Sequence, residues 1–160
     1  MFVIIKLLLI IALVAICYQD FKERQVYLGL LVLTGVFMSF LHFNNSDPTV
    51  YFWNIILNIT VILIIYTVLF FYSLWRLKKS ISQTFGLGDL LFFIALAVGF
   101  STATFLVLFT FSLIFSLVFY ISIKSNFKTK TVPLAGLQAI FIVLIYTFNW
   151  IFQWTNLYAI

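Results

Sequence analysis

Long apolar runs separated by short polar stretches dominate the chain. The runs cover residues 2–19, 26–43, 49–75, 90–123 and 133–153. A helix needs about 20 residues to cross the hydrocarbon core of a bilayer, and most of these runs are close to that length or longer. The pattern therefore predicts an all-α, polytopic membrane protein.

The run at residues 90–123 is too long for a single span. As one helix it would extend for about 50 Å, far beyond the thickness of a bilayer core. The small and polar cluster Gly99-Phe-Ser-Thr-Ala103 is where we expect it to divide. The division predicts six transmembrane helices, of which the fourth is short and has a recessed cytoplasmic end.

The basic residues support six spans and orient them. With six spans, every Lys and Arg except Lys6 falls on one side of the membrane, whereas five spans would move the three lysines after Ile123 to the other side. Cytoplasmic loops are enriched in Lys and Arg, so both termini are expected outside. The cytoplasmic basic residues are then Lys22, Arg24, Arg76, Lys78, Lys79, Lys124, Lys128 and Lys130.

Composition leaves little room for any other class of protein. Hydrophobic residues make up 65% of the chain, only 8% is charged, and the mean hydropathy is +1.22. A soluble domain needs more polar surface than this, so we expect residues 1–160 to form a single transmembrane domain. The net charge of +5 lies in the gaps between spans, which favours lipid rather than nucleic acid as a partner. The single cysteine, Cys17, allows no disulfide within the chain, no CxxC motif and no zinc ribbon.

The chain contains four acidic residues, and two of them have ordinary explanations. Asp47 precedes Pro48 in an outer turn, and Glu23 lies among basic residues at the surface. The other two differ, because Asp20 ends the first span and Asp89 begins the fourth. The predicted topology places both carboxyl groups at the cytoplasmic edge of the bundle.

Paired carboxyl groups of this kind suit peptide hydrolysis. Two neighbouring carboxyls do not ionise together easily, so one retains a proton while the other is charged. The carboxylate then activates water, and the carboxylic acid polarises the scissile carbonyl. Helix dipoles favour Asp89, at a helix start, as the base and Asp20, at a helix end, as the acid. The alternative is structural: Asp20 pairs with a basic neighbour and Asp89 caps its helix.

Three stretches resemble motifs of known membrane proteases. Gly86-Leu-Gly-Asp89 resembles the G-x-G-D motif of intramembrane aspartyl proteases. The stretch from Asp20 to Val26 is similar to the first aspartate motif of the type IV prepilin peptidase family, D-x-x-x-R-x-I/V. The stretch from Lys130 to Ala135 is similar to the Pro-containing segment that opens the last helix in that family.

The resemblance implies an intramembrane aspartyl endopeptidase that needs no metal or organic cofactor. Its expected substrate is a pilin-like precursor with a basic leader and a hydrophobic N-terminal helix, cleaved at the cytoplasmic face of a bacterial or archaeal inner membrane. Asp20 and Asp89 take the catalytic positions. The residues expected to support them are Gly86, Gly88, Arg24 and Pro133.

Two features depart from the family pattern. Leu91 stands where many members carry Lys, and the cysteine-rich segment linked with N-methylation is absent, so peptidase activity without methyltransferase activity is expected. Two other functions remain open. One is a transporter or ion pathway using the same carboxylates, and the other is a catalytically silent relative.

Polar residues inside the spans complete the list of candidates. Asn54 and Asn58 share one face of the third span, which predicts hydrogen bonds to another helix. His42 is expected at the outer membrane interface, far from both aspartates. Gln138 follows Pro133 by about one helical turn, where a supporting role near the site is possible.

Overall fold

The computed structural model describes residues 2–78, 86–123, 132–153 and 156–158, and the regular structure in these residues is entirely helical. This confirms the all-α part of the predicted fold class. Lys79, Lys124, Lys128 and Lys130 lie outside the described residues. The helices are α1 (Phe2–Glu23), α2 (Leu28–Phe43), α3 (Pro48–Tyr72), α4 (Leu87–Gly99), α5 (Thr102–Ile123) and α6 (Leu134–Phe152); a π-helical turn, Ser73–Leu77, extends α3.

Four of the described helices are long and apolar enough to cross a membrane: α1, α3 with its π-helical turn, α5 and α6. The other two are also apolar but shorter, with 16 residues in α2 and 13 in α4. The short α4 agrees with the short fourth helix expected from the sequence. Six helices in the described residues are thus confirmed, while six membrane spans and the orientation of the termini stay predictions.

The long apolar run breaks where the sequence indicated. Helix α4 ends at Gly99, Phe100 takes an extended conformation (φ −140°, ψ 155°), and α5 begins at Thr102. A break inside a bundle leaves carbonyl and N–H groups without partners in their own helix. Other side chains must therefore satisfy these groups.

Two asparagines of α3 supply much of the hydrogen bonding that the break requires. Asn58 Nδ2 donates to the carbonyl oxygens of Ala97 (2.8 Å) and Phe100 (3.0 Å). Asn54 Oδ1 accepts a hydrogen bond from Thr102 Oγ1 (3.0 Å) and a longer one from the backbone N–H of the same residue (3.4 Å). The predicted interhelical hydrogen bonds are confirmed, and their targets are the two ends of the break.

The side chain of His42, expected at the membrane interface, is fully buried within the bundle, and its depth in a membrane stays a prediction. His42 Nδ1 is hydrogen-bonded to the carbonyl oxygen of Val98 (3.1 Å), and the rings of Tyr51 and Tyr158 pack against the imidazole. The last turn of α4 has carbonyls that need donors, and α2 ends beside it. His42 supplies one such donor, which explains why its side chain is buried.

The core lies between the inner faces of the bundle, and each helix except α3 contributes to it along much of its length. Fully buried side chains include Leu13, Met38, Phe92, Phe105 and Ile142. The buried residues of α3 all lie between Tyr51 and Ile62, and none follows Ile62 in this helix. Helix α3 is therefore anchored mainly at the end of the bundle that holds the α4–α5 break.

Candidate active site

The first turn of α6 brings the two candidate aspartates together. Asp20 Oδ2 accepts a hydrogen bond from the backbone N–H of Gly136 (2.6 Å), and Asp89 Oδ1 accepts one from the backbone N–H of Ala135 (3.0 Å). The donors belong to consecutive residues, so the two carboxyl groups lie side by side at one helix terminus. A third element, α6, thus binds both aspartates.

Pro133 sets the start of α6. It occupies the N-cap position, and its carbonyl oxygen accepts a hydrogen bond from Leu137 N (3.1 Å). The N–H groups in the first turn of a helix have no partner within the helix, and they carry the positive end of its dipole. They are therefore suited to bind anionic oxygen atoms. This gives Pro133, one of the expected support residues, a definite place beside the pair.

Asp20 faces inward because it continues the buried stripe of α1. The stripe includes Leu9, Leu13 and Ile16, and Asp20 itself is 7% exposed. The helix ends one turn later, where Arg24 adopts a left-handed conformation (φ 56°) and its N–H donates to the carbonyl oxygen of Asp20 (3.2 Å). The turn at Arg24 thus ends α1 just after the aspartate.

Asp89 lies in the first turn of α4 and is partly buried. Gly86 is the N-cap of that helix, and its carbonyl oxygen accepts from Leu90 N (3.3 Å). A Cβ atom at Gly86 would lie 3.1 Å from Asp89 Oδ2, whereas one at Gly88 would meet nothing within 4 Å. Of the two glycines of the motif, Gly86 is packed against the aspartate and Gly88 faces open space.

Gly136 is the residue at the site that sequence reasoning did not identify. A Cβ atom there would lie 3.0 Å from Asp20 Cβ, 3.1 Å from Asp20 Oδ2 and 3.2 Å from the ring of Phe21. Glycine therefore permits the close approach of α1 and α6 around the carboxyl group. A glycine directly after Pro133-Leu-Ala135 was the available signal, but it is a weak one by itself.

The comparison with protein families agrees with this geometry. The model described as the type IV leader peptidase family matches residues 7–121, which is more than half of the chain and includes both aspartates. The chain belongs to the type IV leader peptidase family. No curated protein and no solved structure gave a significant match.

Membership confirms the family inferred from the two aspartate motifs, and it identifies a membrane-embedded, leader peptidase-like protease at the level of the family. The matched residues end before α6. The family model therefore does not cover Ala135 and Gly136 of this leader peptidase relative. Their hydrogen bonds to the aspartates are seen only in the structure.

Among the residues that the structure describes, three charged side chains act on one another at the site. The guanidinium of Arg24 acts electrostatically on the carboxyl group of Asp20, which in turn acts on Asp89. Within the described residues, no group of three or more His, Cys, Asp or Glu side chains is placed to hold a metal ion. Gln138 is fully buried and donates to Ser112 Oγ (3.1 Å), so its nitrogen binds α5 rather than either aspartate.

Leu91, the departure from the family pattern, faces away from the pair. It lines an apolar groove of about 570 Å³ between α2 and α4, with Ile94, Ala95 and Val98 on the same face of α4. At about 100° per residue, Asp89 lies nearly opposite the centre of that face. The leucine of this leader peptidase relative therefore lies on the groove side of α4, and neither aspartate lines the groove.

Proposed function

We propose that the chain is an aspartic endopeptidase in which Asp20 and Asp89 form the catalytic pair. The observation that carries the proposal is that the two carboxyl groups bind the adjacent N–H groups of Gly136 and Ala135. Two acids from helices far apart in the sequence are thereby fixed at one helix terminus. A side-by-side arrangement is what a two-aspartate hydrolysis requires.

The reaction follows the chemistry of a pair that holds a single proton. The charged carboxylate takes a proton from water as the water oxygen attacks the carbonyl carbon, and the protonated carboxyl gives its proton to the carbonyl oxygen. The resulting diol collapses when one carboxylate recovers a proton from a diol hydroxyl and the other carboxyl protonates the departing nitrogen. The C–N bond then breaks, and the pair again holds one proton.

The assignment of base and acid changes in the light of α6. The dipoles of the helices that carry the aspartates favour Asp89 as the base, but the positive terminus of α6 faces both carboxyl groups. The positive terminus of α6 stabilises negative charge on either carboxyl group. We therefore propose that the pair shares the proton and that bound substrate decides which aspartate acts as base.

The proposed substrate is a precursor with a basic leader and an apolar, helical segment that stays in the lipid. The helix start at Asp89 offers a route for its backbone, because Leu87 is 72% exposed and the Gly88 side of the turn is open. The positions of Lys and Arg support a site at the cytoplasmic face, and Arg76 and Lys78 are available for anionic lipid headgroups. Neither the proposed substrate nor the proposed cytoplasmic site requires a metal or organic cofactor.

The hydrogen bonds at the site favour hydrolysis over ion transport. In a cation pathway the acidic side chains have to attract a positive ion. Here both carboxyl groups accept from N–H groups at the start of α6, at Gly136 and at Ala135, and the positive end of that helix opposes a cation. The silent-relative alternative is left to experiment.

The test is cleavage of a panel of basic-leader, pilin-like precursors by purified protein in liposomes. Asp20→Asn and Asp89→Asn are compared with Asp47→Asn, because Asp47 is exposed and its side chain makes no capping hydrogen bond at α3. We expect the native protein and the Asp47 variant to cleave, and the two site variants to fold but not to cleave. Cleavage that survives either site substitution would refute the catalytic pair. Folded native protein that cleaves nothing in the panel but conducts protons would favour the ion pathway.

A further inference from the structure

A second group of buried polar side chains lies at the far end of α4 from Asp89, around the α4–α5 break. We call His42, Asn54 and Asn58 the break cluster. Their exposed fractions are 0%, 8% and 0%. Each contributes one nitrogen or oxygen atom to the hydrogen bonds that cap the break, and each has a second polar atom that those bonds do not use.

Backbone partners fix which way the two asparagine amides point. Asn58 Nδ2 donates to two carbonyl oxygens, of Ala97 and Phe100, so this atom is the amide nitrogen. Asn54 Oδ1 accepts from the backbone N–H of Thr102, so this atom is the amide oxygen. The atoms left over are therefore an acceptor, Asn58 Oδ1, and a donor, Asn54 Nδ2.

The tautomer of His42 is fixed in the same way. Its Nδ1 faces the carbonyl oxygen of Val98 at 3.1 Å, and a carbonyl oxygen can only accept. Nδ1 therefore carries the hydrogen, and in the neutral ring Nε2 presents a lone pair. The atom left over on His42 is an acceptor.

These three remaining atoms are buried and have no hydrogen-bond partner among the residues that the structure describes. Buried polar atoms in proteins are nearly always paired, either with other protein groups or with ordered water. Because the three atoms belong to residues that cap one break, a single partner can serve all of them. That partner has to satisfy two acceptors and one donor.

We propose that the break cluster is a binding site for ordered internal water. A water molecule donates two hydrogen bonds and accepts further ones, which matches the two acceptors His42 Nε2 and Asn58 Oδ1 and the donor Asn54 Nδ2. Internal waters typically have about three such partners. A cation does not match, because the amide N–H of Asn54 would point at it. An anion does not match either, because two lone pairs would face it.

The site has a structural consequence for the rest of the molecule, and it does not depend on the proposed peptidase function. The three residues come from α2 and α3, and they already cap α4 and α5. Water among them adds hydrogen bonds between α2 and α3, the two helices whose side chains cap the break. It thereby orients the side chains that hold the end of α4, the short helix whose first turn carries Asp89.

The direct test is a crystal structure of the full chain grown from a lipid mesophase, at a resolution that shows ordered water. We expect density within about 2.6–3.2 Å of at least two of the three remaining atoms. Direct pairing of Asn54 Nδ2 with Asn58 Oδ1 would overturn the proposal. So would an empty space, or density with the distances and coordination of a metal cation.

Radiolytic hydroxyl-radical labelling gives an independent test in solution, because bound water generates radicals beside buried rings. The ring of Tyr158 lies 6.0 Å from His42, centroid to centroid, and Phe109 is a ring of similar burial in the core. His42→Asn keeps a donor near the Nδ1 position but lacks Nε2. We expect labelling of Tyr158 to exceed that of Phe109 in the native protein and to fall in the variant. Equal labelling of the two rings, or no change in folded variant protein, would contradict the proposal.

Discussion

The backbone N–H of Gly136 lies 2.6 Å from Asp20 Oδ2, and a methyl group at position 136 would lie 3.0 Å from Asp20 Cβ. The same glycine thus supplies the donor that holds the carboxyl group and the space that the carboxyl group needs. Helix α1 can approach α6 closely only because residue 136 has no side chain. The position of Asp20 relative to Asp89 depends on that approach.

Gly136→Ala is therefore expected to reduce cleavage strongly while the protein still folds. The added methyl group pushes Asp20 away by a few tenths of an ångström and lengthens its hydrogen bond. Small displacements of catalytic groups are costly, with losses of up to about 100-fold for a shift near 1 Å. We expect a loss of about tenfold in kcat, with little change in KM, measured with a leader-peptide precursor in liposomes.

Gly29→Ala is the matched control for this substitution. Gly29 lies in α2, and a Cβ atom there would meet nothing within 4 Å. Its variant should cleave like the native protein. If Gly136→Ala were equally active, close approach at residue 136 would have no role in positioning Asp20.

The two glycines of the Gly86-Leu-Gly-Asp89 motif are predicted to respond differently to alanine. A Cβ atom at Gly86 would lie 3.1 Å from Asp89 Oδ2, but one at Gly88 would lie in open space. Gly86→Ala should therefore lower kcat by displacing the carboxyl group. Gly88→Ala should leave kcat near the native value and can raise KM, because its methyl group would occupy the face proposed for the substrate backbone. Steady-state kinetics on both variants provides the check, and equal losses of kcat would contradict the distinction.

Leu91 is predicted to be unimportant for the chemistry, although it departs from the family pattern. Its side chain lines the groove between α2 and α4, on the face of α4 away from Asp89. Leu91→Ala should cleave at the native rate. Leu91→Lys should not cleave faster, because its ammonium group would extend toward the nearby membrane surface. A clear gain of cleavage with the lysine variant would show that this position acts on the site after all.

The sequence was sufficient to predict the features that side chains determine. The break in the long apolar run follows from the cluster at Gly99–Ala103, and the structure ends α4 at Gly99. The two asparagines on one face of α3 predicted bonds to another helix, which Asn58 makes to Ala97 and Phe100. The family followed from the aspartate motifs. The number of spans and their orientation rest on hydropathy and charge alone.

The remaining features depend on contacts that a sequence pattern does not mark. Ala135 and Gly136 act through backbone N–H groups, which nearly every residue has, so their side chains did not mark them as the donors that hold the pair. His42 stands at the end of an apolar run, a position typical of an interfacial residue. Its burial depends on Val98, which comes from a helix much later in the chain.

A final prediction concerns how α2 supports α4. A Cβ atom at Gly99 would lie 2.8 Å from Met38 Cβ, which is closer than such atoms approach in proteins and too near the backbone for a rotamer change to relieve. Gly99→Ala should therefore force the helices apart and destabilise the protein by about 1–3 kcal/mol, as overpacked cores usually do. The control is Gly35→Ala on the same helix pair, where the new Cβ would meet Ala95 Cβ at an ordinary 3.6 Å. Thermal unfolding in one detergent should show a lower Tm for Gly99→Ala and a Tm near or above the native value for Gly35→Ala. Equal Tm values for the two variants would mean that α2 and α4 can separate at no cost, and that the packing at Met38 does not hold α4 in place.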